Sequence, residues 1–193
     1  MLQRQNITLE TPGMVLFDPG TLAAFIKEQQ ITATDLLQYF NDNPQAGDAA
    51  IRQGCLLPVY TIPTWDYELV FNNTGTLATP AHLIDAVLEV VLPLKISSGT
   101  MIVTDLFGIM EFDLDYYLNF PPPEKRLGLD AEVRLQAGNY AVRIAKFIDR
   151  QDADIEYRVC GYEFLLQPVA SLPAMAGIDI DDIAYAIEGL MQA

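Results

Sequence analysis

The chain has 193 residues, 51% of them hydrophobic, and its 26 acidic and 11 basic side chains give a net charge of −15. That hydrophobic content is enough for the core of one domain and excludes wholesale disorder. The shortage of Lys and Arg argues against binding to nucleic acid, since such binding neutralises phosphates with basic side chains, whereas an acidic chain attracts cations or basic proteins.

Helical patterns dominate residues 18–54. The first helix is predicted at 18–30, where Asp18 supplies an N-cap and a proline follows it at the first helical position. A second helix is predicted at 32–42, and a third, short one at 45–54. The N-terminal part of the fold is therefore expected to be a helical segment.

Residues 55–170 are expected to be β-rich, because aromatic and β-branched residues become frequent there. Strands are predicted at 55–62, 65–71, 100–117 and 157–169, and a hairpin at 130–148. Residues 80–96 are ambiguous: the first half fits a helix capped by Thr79, and the second half fits a strand interrupted by Pro93. Residues 178–192 are predicted to form a closing helix that begins near Asp181 or Asp182.

A weak internal repeat is visible when Gly99 is laid over Gly138, which aligns LKISSGTMIVTDL with VRLQAGNYAVRIA. Each copy reads as strand, glycine turn, strand, and two hairpins can also resemble each other without common origin because few turn sequences suit them. Either way, the pattern favours antiparallel pairing over βαβ units. We predict a single α+β domain over 1–193, with an antiparallel core of one or two sheets, the N-terminal helical segment and a C-terminal helix.

One histidine limits the enzymatic options. His82 precedes Asp85 by three residues, so on a helix the two would share a face and could orient a general base. No nucleophile motif accompanies them, and we interpret His82 as an exposed helix residue. The sequence also lacks a calcium loop, a zinc spacing and a phosphate-binding glycine loop. We expect no catalytic residue, no cofactor and no metal.

The stretch EFDLDYY at 111–117 concentrates acidic residues. On a strand, Glu111, Asp113 and Asp115 would point one way and the intervening apolar residues the other; on a helix, Glu111 and Asp115 would share a face. A second acidic cluster comprises Asp149, Asp152, Asp154 and Glu156, and a third comprises Asp179, Asp181 and Asp182. Three solvated faces are the simplest interpretation.

Aromatic residues beside these acids indicate an interface. Tyr116 and Tyr117 follow the first cluster, and Trp65 and Asp66 combine the same two chemistries elsewhere. In protein interfaces, rings supply buried anchors and carboxylates supply steering and register. The predicted partner-binding residues are therefore Trp65, Asp66, Glu111, Asp113, Asp115, Tyr116, Tyr117, Asp149, Asp152, Asp154 and Glu156.

Neither a targeting nor a membrane segment is predicted. The stretch MLQRQNITLETPG has no apolar segment like that of a signal peptide, and the apolar run at 86–94 is too short to span a bilayer. We expect a cytoplasmic protein that binds no membrane. Cys55 and Cys160 match no metal or redox spacing, so both are expected to be buried thiols.

A strongly acidic chain of this size, without catalytic or metal signature, resembles bacterial immunity proteins of polymorphic or type VI secretion toxin systems. The segments that carry the resemblance are the helical start followed by GCLLPVYTIPTWDYELVF and the later SSGTMIVTDL and QAGNYAVRI. The resemblance implies a non-enzymatic inhibitor, monomeric or a small oligomer, that occludes the active site of a cationic, nuclease-like toxin. The alternative is a structural or adaptor protein of a phage or secretion apparatus.

Overall fold

Two β-sheets and a layer of helices are stacked in the computed structural model, which describes residues 1–122, 130–151 and 158–190. The strands are β1 Leu2–Thr8, β2 Gly13–Phe17, β3 Leu57–Tyr60, β4 Asp66–Asn72, β5 Ile84–Val87, β6 Leu92–Ile96, β7 Thr100–Asp105, β8 Asp130–Arg134, β9 Gly138–Ile148 and β10 Cys160–Val169. The helices are α1 Pro19–Glu28, α2 Leu36–Asp42, α3 Pro44–Arg52, α4 Phe107–Met110 and α5 Leu114–Leu118.

The larger sheet has six strands in the order β1-β4-β10-β9-β5, with β6 also paired to β9, and the smaller sheet has the order β3-β2-β7-β8. Neighbouring strands pair antiparallel apart from β4 and β10, which run parallel. The predicted α+β fold on antiparallel sheets is confirmed.

The smaller sheet is buried on both faces, and β2 shows how. Met14 and Leu16 point into the main core between the two sheets, whereas Val15 and Phe17 point into a second core beneath the helices. Alternate residues of a strand face opposite sides, so a strand between two layers must be apolar throughout. Residues 1–17, for which the sequence patterns predicted no element, therefore form β1 and the fully buried β2.

The C-terminal helix predicted at 178–192 is wrong within the described residues. A short 3₁₀ turn, Ile180–Asp182, is followed by irregular chain up to residue 190. Lys146 Nζ donates to the carbonyls of Ala184 and Ala186, at 3.3 and 2.7 Å. These carbonyls bond to a side chain of β9 and not to N–H groups within a helix. Its apolar side chains, including Tyr185, enter the main core.

The helix considered for the first half of 80–96 is also wrong: a turn precedes strand β5, which pairs with β9. The second half is strand β6, as predicted. Pro93 lies opposite Ala141 in the β6–β9 ladder, and β6 pairs only with β9 among the described strands. An edge position of this kind tolerates the missing N–H of proline.

The hairpin predicted at 130–148 is wrong because β8 and β9 belong to different sheets, as do β6 and β7. Each copy of the repeat is an arch that crosses from one sheet to the other. The arches pair reciprocally, β6 with β9 and β7 with β8. Laying Gly99 over Gly138 converts the pair Leu94↔Tyr140 into Val133↔Met101, and this pair is also present. The two arches are thus related by an approximate two-fold axis.

Candidate partner-binding surface

Several acidic side chains are internal and serve the fold. Asp18 and Glu163 are fully buried. Asp18 caps α1 by accepting from Thr21 N–H at 2.7 Å, and it accepts from Ser98 N–H at 2.8 Å. Burial raises the pKa of the Asp18 carboxyl, but hydrogen bonds from Ser98, Thr21 and Ser97 outweigh burial, so the pKa lies below the ordinary value.

Glu163 fastens a loop to the outer face of the larger sheet. It accepts from Asn72 Nδ2 at 2.7 Å and from the N–H groups of Ala78 and Thr79 at 2.8 Å. Burial raises the pKa of the Glu163 carboxyl, but these hydrogen bonds lower it by more, so the pKa lies below its ordinary value. Carboxylates bonded this completely cannot contact a partner, so the surface charge comes from the others.

The solvent side of the helical layer is strongly acidic. Its carboxylates are Glu28, Asp35, Asp42, Asp48, Glu111, Asp113 and Asp115, and its basic residues are Lys27 and Arg52. Arg52 is occupied, because it pairs with Asp48 at 3.3 Å and donates to the Met175 carbonyl at 2.6 Å. The residues from Ile96 to Pro122 contain no Lys, Arg or His. Exposed Lys95 of β6 lies near Glu28 and Arg52 at one edge of the layer. Within the described parts of the chain, the carboxylates of this layer therefore outnumber the basic side chains.

The strand predicted through EFDLDYY is wrong: the predicted segment at 100–117 is a strand only at β7, Thr100–Asp105. Asp113 is the N-cap of α5 and accepts from Tyr116 N–H at 3.1 Å. The helical alternative also fails, because Glu111 follows α4 whereas Asp115 lies in α5. Because the Asp113 carboxylate caps a helix here, the alternating pattern of acidic and apolar residues does not produce a strand. All three acids are nevertheless exposed, as both readings required.

We use the name α4–α5 surface for residues 107–118. Buried Asp105 orients it by accepting from Phe107 N–H at 2.7 Å and from the N–H groups of Glu10 and Thr11 at 2.7 and 2.8 Å. Phe112 N–H donates to the Thr34 carbonyl at 2.9 Å, which ties the segment to the chain before α2. Two short helices are thus fixed by bonds to distant parts of the chain.

Tyr117 supports this surface from beneath. It is only 5% exposed and offers a partner almost no surface, so its predicted role as a partner contact stays a prediction. Its ring packs edge-on against Phe17 and stacks on Phe112, with centroid distances of 5.1 and 5.4 Å. Its hydroxyl donates to the Gly108 carbonyl at 3.3 Å, and burial raises its pKa. Tyr116, which is half-buried, donates to Asp130 Oδ2 at 3.1 Å.

Sequence reasoning missed the exposed apolar residues of the α4–α5 surface. Phe107, Met110 and Leu118 are 44%, 38% and 49% exposed. The strand predicted over 100–117 covers Phe107 and Met110 but gave no indication that either side chain is exposed, and Leu118 lies just beyond it. The three-residue spacing of Phe107 and Met110 was the available signal, because it places two residues on one side of a helical turn.

Trp65 and Asp66 lie elsewhere, in an open groove of about 880 Å³ at one end of the larger sheet. Trp65 packs against the main core, and Asp66 accepts from Thr8 Oγ1 at 2.6 Å. Asp149 belongs to the same end of the sheet, since its N–H donates to the Val159 carbonyl of the groove at 2.8 Å. This sheet-end groove and the α4–α5 surface have no residue in common.

The remaining acidic residues contribute less to a definable surface. Asp152, Asp154 and Glu156 lie outside the described residues. Asp179 caps the 3₁₀ turn, and Asp181 accepts a hydrogen bond from the Tyr60 hydroxyl.

The helix on which His82 and Asp85 would share a face does not form, so His82 is exposed as predicted but does not lie on a helix. His82 is exposed in a turn, and the Asp85 side chain, 5% exposed, bonds to Arg150 and lies 3.7 Å from Lys146. Both thiols are free and buried, as predicted, and burial raises the pKa of Cys55 to about 11 and of Cys160 to about 12.

The described part of the chain contains no group of three or more His, Cys, Asp or Glu side chains placed to hold a metal ion. Across the same residues, no helix has the length and apolar character needed to traverse a bilayer.

No protein-family model matches the chain, and no curated protein matches it. Two solved structures are similar. One is ComJ from Bacillus subtilis, an inhibitor of the DNA degrading activity of NucA, with 11% identity and a TM-score of 0.45 over 88% of this chain and 99% of that chain. The other, named crocagin biosynthetic gene J, has 10% identity and a TM-score of 0.48 over 87% of this chain and 97% of its own.

Proposed function

We propose that this chain is an immunity-type inhibitor that binds and neutralises a cationic, nuclease-like toxin through the acidic side of its helical layer. One observation carries the proposal: among the residues that the structure describes, exposed carboxylates outnumber basic side chains on this side of the molecule. Among the described residues, the Glu111 and Asp115 side chains make no hydrogen bond or ion pair.

Such carboxylates act in two ways. At a distance, they accelerate encounter with a basic protein, and the acceleration falls as salt rises. In contact, they pair with the Lys and Arg side chains that a nuclease uses for phosphates, so the inhibitor and the nucleic acid compete for one groove. Inhibition by occlusion requires no covalent bond to form or break.

The experiment measures binding to the product of the neighbouring gene and rescue of growth from its toxicity. Glu111→Lys with Asp115→Lys is the test variant; Asp113 stays because it caps α5. Glu89→Lys with Glu188→Lys is the matched control, since both acids are exposed and lie outside the helical layer. We expect the test variant to weaken binding about tenfold or more and to flatten its salt dependence, whereas the control retains most of the affinity.

Equal losses in the two double variants would contradict the proposed surface. Failure of the neighbouring product to bind, together with unchanged growth when the gene is deleted beside an intact toxin, would contradict the function itself. Light scattering after size-exclusion chromatography addresses the adaptor alternative, because an adaptor should form assemblies that grow with concentration and an immunity protein should remain a discrete species.

A further inference from the structure

We propose that Phe107, Met110 and Leu118 are apolar anchors that insert into a pocket, rimmed by Lys and Arg, on a basic protein partner. This inference rests on the proposed function and deepens it, because it names the part of the helical layer that docks and the chemistry of the surface that receives it.

Exposed apolar side chains are concentrated in the α4–α5 surface. Eight large hydrophobic residues are exposed in the described part of the chain, and three of them lie within residues 107–118. Single exposed hydrophobic residues are normal and need no explanation. Three within twelve residues of chain are a local concentration of exposed apolar surface, and apolar surface with a polar rim marks interaction sites.

The three anchors are carried by a backbone that is held in place from below. Asp105 and the Phe112 N–H bond hold the backbone, and Tyr117 fills the space below it. Gly108 is required in this arrangement, because a Cβ there would collide with the hydroxyls of Thr104 and Tyr117. Anchors that are already in place lose little conformational entropy on binding, so more of the burial energy contributes to affinity.

The charge of this segment determines which kind of partner it can bind. Glu111, Asp113 and Asp115 lie in the same twelve-residue segment as the anchors, and no basic residue is present there. Nucleic acid and anionic membrane would be repelled by these carboxylates. A second copy of a chain with a net charge of −15 would bring the same acidic surface against itself. A protein with an apolar pocket and a basic rim satisfies both features of the segment.

Site-specific photocrosslinking in the organism that encodes the chain tests this directly. Benzoylphenylalanine replaces Phe107, Met110 or Leu118 in turn. The matched controls are Leu2, Val87 and Val159, which are 51%, 44% and 51% exposed and lie outside the helical layer. Gln38 and Asp48 serve as a third set, exposed on α2 and α3 of the acidic layer.

We expect one protein to be captured from all three anchor positions and from none of the controls, with the crosslinked partner peptide flanked by Lys or Arg. Adducts from Gln38 and Asp48 without adducts from the anchors would overturn this inference and leave the proposed function standing. Equal capture from the controls overturns the inference too, and absence of adducts from both the anchors and the helix positions would overturn both proposals.

Affinity for the captured protein provides the second measurement. Met110→Ser with Leu118→Ser should weaken binding at least about tenfold, while the slope of affinity against salt stays as in the unmodified protein. Val87→Ser with Val159→Ser should change neither quantity. Two results for the Met110→Ser, Leu118→Ser variant would contradict apolar anchors. One is an unchanged affinity. The other is a change in salt dependence as large as that caused by Glu111→Lys with Asp115→Lys.

Discussion

The α4–α5 surface and the sheet-end groove both combine aromatic or apolar side chains with carboxylates, yet their charges differ in availability. In the groove, Glu68 pairs with Arg4, and Asp66 accepts from Thr8. On the α4–α5 surface, two of the three carboxylates make no bond to any described residue. The pairing state of an acidic cluster, rather than its number of acids, therefore indicates whether the cluster is available to a partner.

The two regions also differ in how they are held. The groove is formed by ends of strands in continuous ladders, so disturbing it means disturbing a sheet. The α4–α5 surface consists of helices of four and five residues, which depend on side-chain bonds for their position. A short helix has too few hydrogen bonds to be stable alone. A substitution that disturbs the packing beneath the groove should therefore lower the free energy of unfolding of the whole domain. A substitution beneath the α4–α5 surface should mainly lower the affinity for the partner.

The largest expected effect is that of Gly161→Ala, next to the groove. A Cβ at this position would overlap the Glu68 carbonyl of the parallel neighbour strand and lie 2.9 Å from Phe147 Cζ. Because both obstacles belong to packed strands, we expect a loss of about 3 kcal/mol or more of unfolding free energy, measured in urea. Gly177→Ala is the control, with a left-handed φ of 74° but open space, and should cost about 1 kcal/mol. Similar costs for the two variants would show that the strands can separate at the groove.

Gly108→Ala should have the next largest effect and a different profile. The obstacles are the hydroxyl ends of Thr104 and Tyr117, which can move, so the expected stability loss is about 1–2 kcal/mol. Movement of Tyr117 would displace the backbone that carries Phe107 and Met110. Affinity for the partner should thus fall more steeply than for Gly177→Ala, in titrations under conditions where each variant is fully folded. Wild-type affinity in the Gly108 variant would mean that the geometry of the α4–α5 surface is not required.

The smallest effect near neutral pH concerns Asp18 in the helical layer and Glu163 in the larger sheet. Their folded-state pKa values are lowered from ordinary values of 3.8 and 4.5, so each contributes stability that is present above its unfolded pKa and is lost as pH falls toward its folded pKa. Unfolding free energy should change little from pH 7 to 5 and fall below about pH 4.5. Urea titrations of Asp18→Asn and Glu163→Gln would reveal the separate contributions, because each variant should show a shallower acid limb. If the unfolding free energy of both variants fell with pH as steeply as that of the unmodified protein, other groups would be responsible for the loss of stability in acid.

Local signals in the sequence were sufficient for part of the fold. Asp18 and the following proline predicted α1 correctly, because a cap and a fixed φ act within one turn. The 111–117 stretch misled for the opposite reason: its alternation imitates a strand, while Asp113 caps a helix. Its acids were exposed under every reading, so part of the candidate site could be predicted although its backbone could not.

Other features depend on partners far along the chain. Nothing near residues 184–186 indicates that Lys146 will bind their carbonyls, and so the C-terminal segment was assigned a helix. The turns at Gly99 and Gly138 were predicted correctly. The sheet to which each flanking strand belongs, however, depends on the strand that pairs with it, and that strand is distant in sequence. The exposure of Phe107, Met110 and Leu118 likewise follows from packing against other elements rather than from their neighbours in sequence.

The paired arches have a consequence for how the chain folds. Each arch contributes one strand to each sheet, so neither sheet can be completed before the other has its strands. The ladders that join residues 92–105 to residues 130–142 also require closure of long loops before any of these contacts forms, which favours slow folding. We therefore expect the sandwich to unfold as one cooperative unit, without a populated state that retains a single sheet. Hydrogen exchange should then protect β6, β7, β8 and β9 to the same degree, even though they lie in two layers.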